Sequence, residues 1–99
     1  MKSRRGSSVQ WRASHILVKD MAVLEKISAE LAKGADFKAL AKRYSTCPSK
    51  KKGGDLGWFG PRQMVPAFEK AVKNLAVGKV SQPIRTEFGT HLILKTGQR

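Results

Sequence analysis

The chain has 99 residues, 40% of them apolar, with 20 Lys and Arg against 7 Asp and Glu and a formal net charge of +13. That length suits a single domain with one modest core, and no apolar run approaches the roughly 20 residues that a bilayer-spanning helix requires. The one cysteine, Cys47, excludes an internal disulfide and fits a reducing compartment. The cytoplasm is the expected location, with a nuclear or organellar one after processing as the alternative.

Residues 1–10 are basic and rich in Ser, and they lack the apolar stretch of a secretory signal. They read as a disordered basic tail ahead of a domain spanning 11–99. Trp11 to Val18 follow, rich in β-formers, with apolar residues on both alternating faces, which predicts a central strand buried on both sides. Asp20 supplies a helix N-cap, Met21, Leu24, Ile27 and Leu31 follow at helical spacing, and Gly34 ends the helix. Asp36 caps a second helix with Phe37, Leu40, Ala41 and Tyr44 on one stripe.

Ser45 to Gly57 reads as a loop holding Pro48, Lys50 to Lys52 and a turn at Gly53-Gly54-Asp55, after which Trp58-Phe59 forms a very short strand. Pro66 suits the first turn of a third helix, which carries Phe68, Val72 and Leu75 on one side. Val80 to Arg85 is extended, and Pro83 confines it to an edge or a bend. Glu87-Phe88-Gly89 turns the chain into a last strand over Gly89 to Thr96. The order strand, two helices, short strand, helix, two strands predicts an α+β domain, a small sheet covered by helices.

The chemistry-bearing residues are few. Both histidines, His15 and His91, fall inside predicted buried strands near the two ends of the domain. Terminal strands often pair at the centre of a small sheet, where two neutral imidazoles can share a hydrogen bond that fixes both tautomers. Two histidines and one cysteine lack the spacing of a zinc site, so no metal is expected. Cys47 between Thr46 and Pro48 has no oxyanion site marked beside it, which argues against hydrolytic chemistry. Leu56, Met64, Phe68 and Phe88 are apolar residues at element ends, the composition of either a core or an apolar ligand pocket. Basic residues are spread along the whole chain, and no aromatic interleaves with the runs Arg4-Arg5 and Lys50 to Lys52. The charge therefore reads as a general electropositive surface that allows weak binding to nucleic acid or anionic membrane.

Taken in order, Ser14-His15-Ile16-Leu17-Val18, Phe37, Leu40-Ala41, Ser45-Thr46-Cys47-Pro48, Gly53-Gly54-Asp55-Leu56-Gly57, Met64-Val65-Pro66-Ala67-Phe68 and Phe88-Gly89-Thr90-His91-Leu92-Ile93 closely resemble the short, stand-alone parvulins, a family of peptidyl-prolyl cis/trans isomerases. The resemblance runs from about Trp11 to Lys95. It implies a four-stranded antiparallel sheet surrounded by helices, with the first and last strands adjacent, and an enzyme that assists folding by rotating Xaa-Pro bonds without a cofactor. By the same resemblance His15, Cys47, His91 and Thr86 are the catalytic positions, and Leu56, Met64, Phe68 and Phe88 form the proline pocket. The two imidazoles would then orient Cys47.

Phosphate-directed members carry a basic insertion after the first strand. Here Lys19-Asp20 leads straight into the helix, so phosphate direction is not expected. Lys50, Lys51 and Lys52 are the candidate contacts for an acidic residue before proline. Proline-containing polypeptides are the expected partners of a monomer, and the alternative function is a non-catalytic peptide- or polyanion-binding module of the same fold.

Overall fold

The computed structural model describes residues 9–99. Its elements are β1 (Trp11–Val18), α1 (Met21–Ala32), α2 (Phe37–Tyr44), a 3-10 turn (Pro48–Lys52), β2 (Asp55–Phe59), α3 (Pro66–Asn74), β3 (Ile84–Thr86) and β4 (Gly89–Gln98). The four strands form one antiparallel sheet in the order β2-β1-β4-β3, so the first and last strands are its centre.

Alternation along these two central strands gives the sheet two different faces. On the back, Ile16, Val18 and Leu92 bury against Leu24 and Ile27 of α1 and Phe37, Leu40 and Ala41 of α2. On the front, Trp11, Ala13 and Ile93 pack with Phe59 of β2 and with Phe68 and Val72 of α3. Each helix starts where the sequence supplies a cap. Asp20 accepts from Ala22 N at 2.9 Å, Asp36 from Ala39 N at 3.2 Å, and Pro66 occupies the first turn of α3, where a missing N–H costs nothing.

Several boundaries differ from the sequence expectation. The proposed tail through residue 10 falls mostly on residues 1–8, which lie outside the described residues. Val9 and Gln10, however, belong to the folded domain. Val9 packs on the front core, and Gln10 exchanges backbone bonds of 2.7 and 2.8 Å with Arg99. That pairing also carries β4 past Thr96 to Gln98.

The segment read as a plain loop contains the 3-10 turn, and β2 starts at Asp55 rather than Trp58. Gly53 and Gly54, at φ +70° and +86°, make the reversal before the strand, leaving Asp55 free to pair with Ser14. Met21 stands 53% exposed because α1 buries the stripe led by Leu24 and Ile27. Val80 to Arg85 behaves as the proline requires. It makes an isolated bridge at Val80 and regular pairing only from Ile84, at the sheet edge.

Candidate active site

The front face is open at one end, where the C-terminal end of β1 passes beneath the start of α3. A cavity of about 550 Å³ lies there. Its floor is the imidazole pair. His15 on β1 is in register with Ile93, two residues from His91 on β4, so the rings meet diagonally on one face. Their Nδ1 atoms lie 2.9 Å apart, the rings are stacked with 5.1 Å between centroids, and both residues are 5% exposed.

Only one of the two Nδ1 atoms can donate in that bond, so the accepting ring is neutral. Burial, helped by the nearby His91, pushes the His15 pKa down to about 4, and burial lowers that of His91 as well. On its far side His91 Nε2 lies 2.8 Å from Thr86 Oγ1, which also accepts from Phe88 N at 3.2 Å. The network thus runs from the β3–β4 turn through Thr86 and His91 to His15. There it stops, since His15 Nε2 is buried with no hydrogen-bond partner.

The walls are apolar. Phe68, buried in the first turns of α3, sets its ring edge-on to both imidazoles at 5.8 and 5.6 Å. Leu56, Met64, Val65 and Phe88 complete the apolar lining with Leu17. Phe88, 53% exposed, stands at the mouth on the β3–β4 turn.

Cys47 lines the opposite wall and is held by β1. Ser45 Oγ accepts from Leu17 N at 3.1 Å and from Cys47 N at 3.3 Å, while Thr46 N donates to Leu17 O at 2.8 Å. Gly54 fixes the depth of this wall. Its carbonyl accepts from His15 N at 2.9 Å, and a Cβ there would stand 2.4 Å from the His15 carbonyl oxygen. Only glycine permits that approach.

With this geometry in view, the relatives agree. A profile for the rotamase family, the PPIC-type PPIase domain, matches residues 15–97. The chain belongs to the PPIC-type peptidyl-prolyl isomerase family. The foldase protein PrsA of Geobacillus kaustophilus is 55% identical over 86 residues, which is 86% of this chain and 31% of that protein. The crystal structure of PrsA from Bacillus subtilis superposes with a TM-score of 0.85 at 49% identity, covering 89% of this chain and 35% of the other. NmPin, the parvulin of Nitrosopumilus maritimus, superposes with a TM-score of 0.80 at 43% identity, covering 91% of this chain and 98% of its own. The chain therefore spans about a third of the PrsA foldases it matches and nearly all of a short parvulin. It is a peptidyl-prolyl isomerase domain with the four-stranded antiparallel parvulin sheet.

Of the site residues expected from sequence, His15, Cys47, Leu56, Met64, Phe68, Phe88 and His91 all line the one cavity, and Thr86 sits behind His91. Lys50, Lys51 and Lys52 do not line it. They ride on the 3-10 turn, which leads away from the cavity to Gly53. Nor do the imidazoles hydrogen-bond Cys47, whose position is set by Ser45 and β1 instead. Leu17, Lys19, Thr46, Pro48, Val65 and Glu87 also line the cavity and were not expected there. A period-two step from His15 along β1 reaches Leu17 and then Lys19, so alternation alone held that signal.

Proposed function

We propose that this rotamase domain binds a proline ring against Leu56, Met64, Phe68 and Phe88 and accelerates rotation about the preceding imide bond. The imide resists rotation because it is conjugated, with a barrier of about 18–20 kcal/mol. Twisting breaks conjugation and disperses the charge separation of the planar amide, so the twisted state is favoured by a dry, apolar surrounding more than the planar one is. Complementarity to the twisted state is what lowers the barrier. No bond is broken, and neither nucleophile nor metal has a part to play.

In this reading the neutral imidazole pair is a rigid floor. Its two buried rings hold Phe68 edge-on, and Thr86 ties the pair to the turn that carries Phe88. Cys47 lies against the chain preceding the proline. An acidic residue before proline is drawn by Lys19 at the rim, since Lys50 to Lys52 lie off the cavity, and Glu87 opposes it on the other side. A monomer in a reducing, cytoplasmic compartment, with weak polyanion binding outside the pocket, completes the proposal. Its supports are the free Cys47 thiol and the charge of +13.

The observation that carries the reading is the convergence of four apolar side chains over two hydrogen-bonded imidazoles in one open cavity. NMR exchange spectroscopy on a short Ala-Pro peptide tests it. Wild type is expected to bring cis/trans exchange into the detectable range, and Phe68→Ala to slow it at least tenfold while folding is retained. A folded wild-type sample that leaves exchange at the rate of plain buffer ends the reading.

A further inference from the structure

The back of the sheet holds a second concavity, of about 290 Å³, that the isomerase site does not use. Ser14 is buried at its base, and Arg12, Lys38, Lys52, Asp55, Trp58 and Thr96 form its sides. Folding brings these together from four separate stretches. A Cβ at Gly53 would meet the Lys38 Cβ at 2.9 Å, so the 3-10 turn presses directly on α2 and sets Lys52 beside Lys38. Trp58 lies against Gly97, where a Cβ would be 2.9 Å from the indole, and the Arg99 guanidinium stacks over the Trp58 ring at 4.1 Å.

The charges here are unbalanced. Asp55 is the only acid in the concavity, and it is fully engaged. Arg12 Nε and Nη2 reach its two oxygens at 3.1 and 2.6 Å, and Gly57 N donates to it at 3.0 Å. Among the described residues this is the only ion pair, so Lys38, Lys52 and Arg99 touch no carboxylate, although Lys38 is near enough to help hold the Asp55 carboxyl low. The sequence separates its aromatics from its basic runs, yet the fold sets an indole and a stacked guanidinium at the edge of a basin that holds two lysines outside any ion pair.

We propose that this face binds single-stranded nucleic acid, with phosphates over Lys38 and Lys52 and a base on the outer plane of the Arg99 guanidinium. The planar stack is the deciding feature. A guanidinium held flat on an indole offers a cationic plane to a base, and ammonium groups beside it suit phosphates. An acidic peptide would be satisfied by the lysines alone and gains nothing from the plane. A lipid surface would want aliphatic side chains to insert, and the exposed large apolar residues Met21, Val77, Val80 and Phe88 all lie elsewhere.

Fluorescence anisotropy of a labelled single-stranded RNA of about 12 nucleotides, titrated between about 50 and 200 mM salt, tests this. Lys38→Gln with Arg99→Gln is expected to weaken binding at least tenfold and to lower the salt slope by about 0.7, the one phosphate contact at Lys38. Arg99→Lys keeps the charge and loses the plane, and is expected to weaken binding with little change in slope. Proline isomerisation by the double variant and RNA binding by Phe68→Ala should match wild type. Undiminished RNA binding by the double variant overturns the proposal, as does a loss that follows Arg4→Gln with Arg5→Gln instead. Equal or tighter binding of a poly-glutamate peptide or of phosphatidylglycerol vesicles also overturns it.

Discussion

The two faces of this sheet are built from the same two strands and differ in how completely they close. On the back, Ile16, Val18 and Leu92 meet two capped helices and form a core whose concavities lie at its margins. On the front, α3 covers only part of the strand surface, and the uncovered part becomes the cavity over His15 and His91. The difference separates stability from function. A fully buried back-face residue such as Ile16 matters through packing alone, whereas Phe68 belongs at once to the front core and to the pocket wall.

Substitutions can test that separation. The largest effect is expected at the hinge between β1 and the cavity wall. Gly54→Ala places a methyl 2.4 Å from the His15 carbonyl at φ +86°, and should cost about 3–5 kcal/mol in chemical denaturation. A stability within 1 kcal/mol of wild type would show that this wall yields.

Ile16→Ala, at a fully buried back-face position, should cost about 2–5 kcal/mol yet leave kcat/KM per folded molecule unchanged. If kcat/KM falls in step with stability, the two faces are coupled and the division drawn above is wrong.

The imidazole floor predicts a pH dependence of stability with a definite sign. An unfolded histidine takes up its proton near pH 6.5, while His15 resists until about 4. Between those values the unfolded chain binds more protons, so stability must decrease as pH falls and be constant above the window. The slope should approach about 1.4 kcal/mol per pH unit for one histidine. Denaturant midpoints from pH 8 to 4 measure it, and a His15→Phe variant that keeps the full slope would remove His15 as its source.

The smallest effect is expected at Cys47. Because Ser45 and β1 hold the loop whatever the side chain, Cys47→Ala should reduce isomerisation only about three- to tenfold with an unchanged melting curve, within about 1.4 kcal/mol of barrier. Total loss of turnover in a folded variant would mean that the thiol takes part in the chemistry.

Much of this was legible in local patterns. Asp20 and Asp36 announced α1 and α2 because an N-cap satisfies orphan N–H groups wherever it occurs in a chain. The two-sided apolar pattern of β1 announced a central strand, since only burial on both faces sustains it. The start of β2 was hidden because Gly53-Gly54-Asp55 reads as a turn by composition, and Asp55 becomes a strand residue only through its pairing with Ser14. Lys50 stays beside Cys47 through a backbone bond of 3.0 Å to its carbonyl, yet Lys50 to Lys52 do not line the cavity, because the 3-10 turn leads away from it to Gly53.

By itself, then, the sequence determined the capped helices, the buried central strand and the kinds of side chain that a proline pocket needs, because caps and periodicity act over a few residues. Tertiary structure alone decided that His15 and His91, 76 positions apart, would meet at 2.9 Å. It alone decided that Trp58 and Arg99 would join Lys38 and Lys52 on the back. Such meetings depend on strand register and on where one glycine lets two backbones touch, and neither is written in any single stretch of chain.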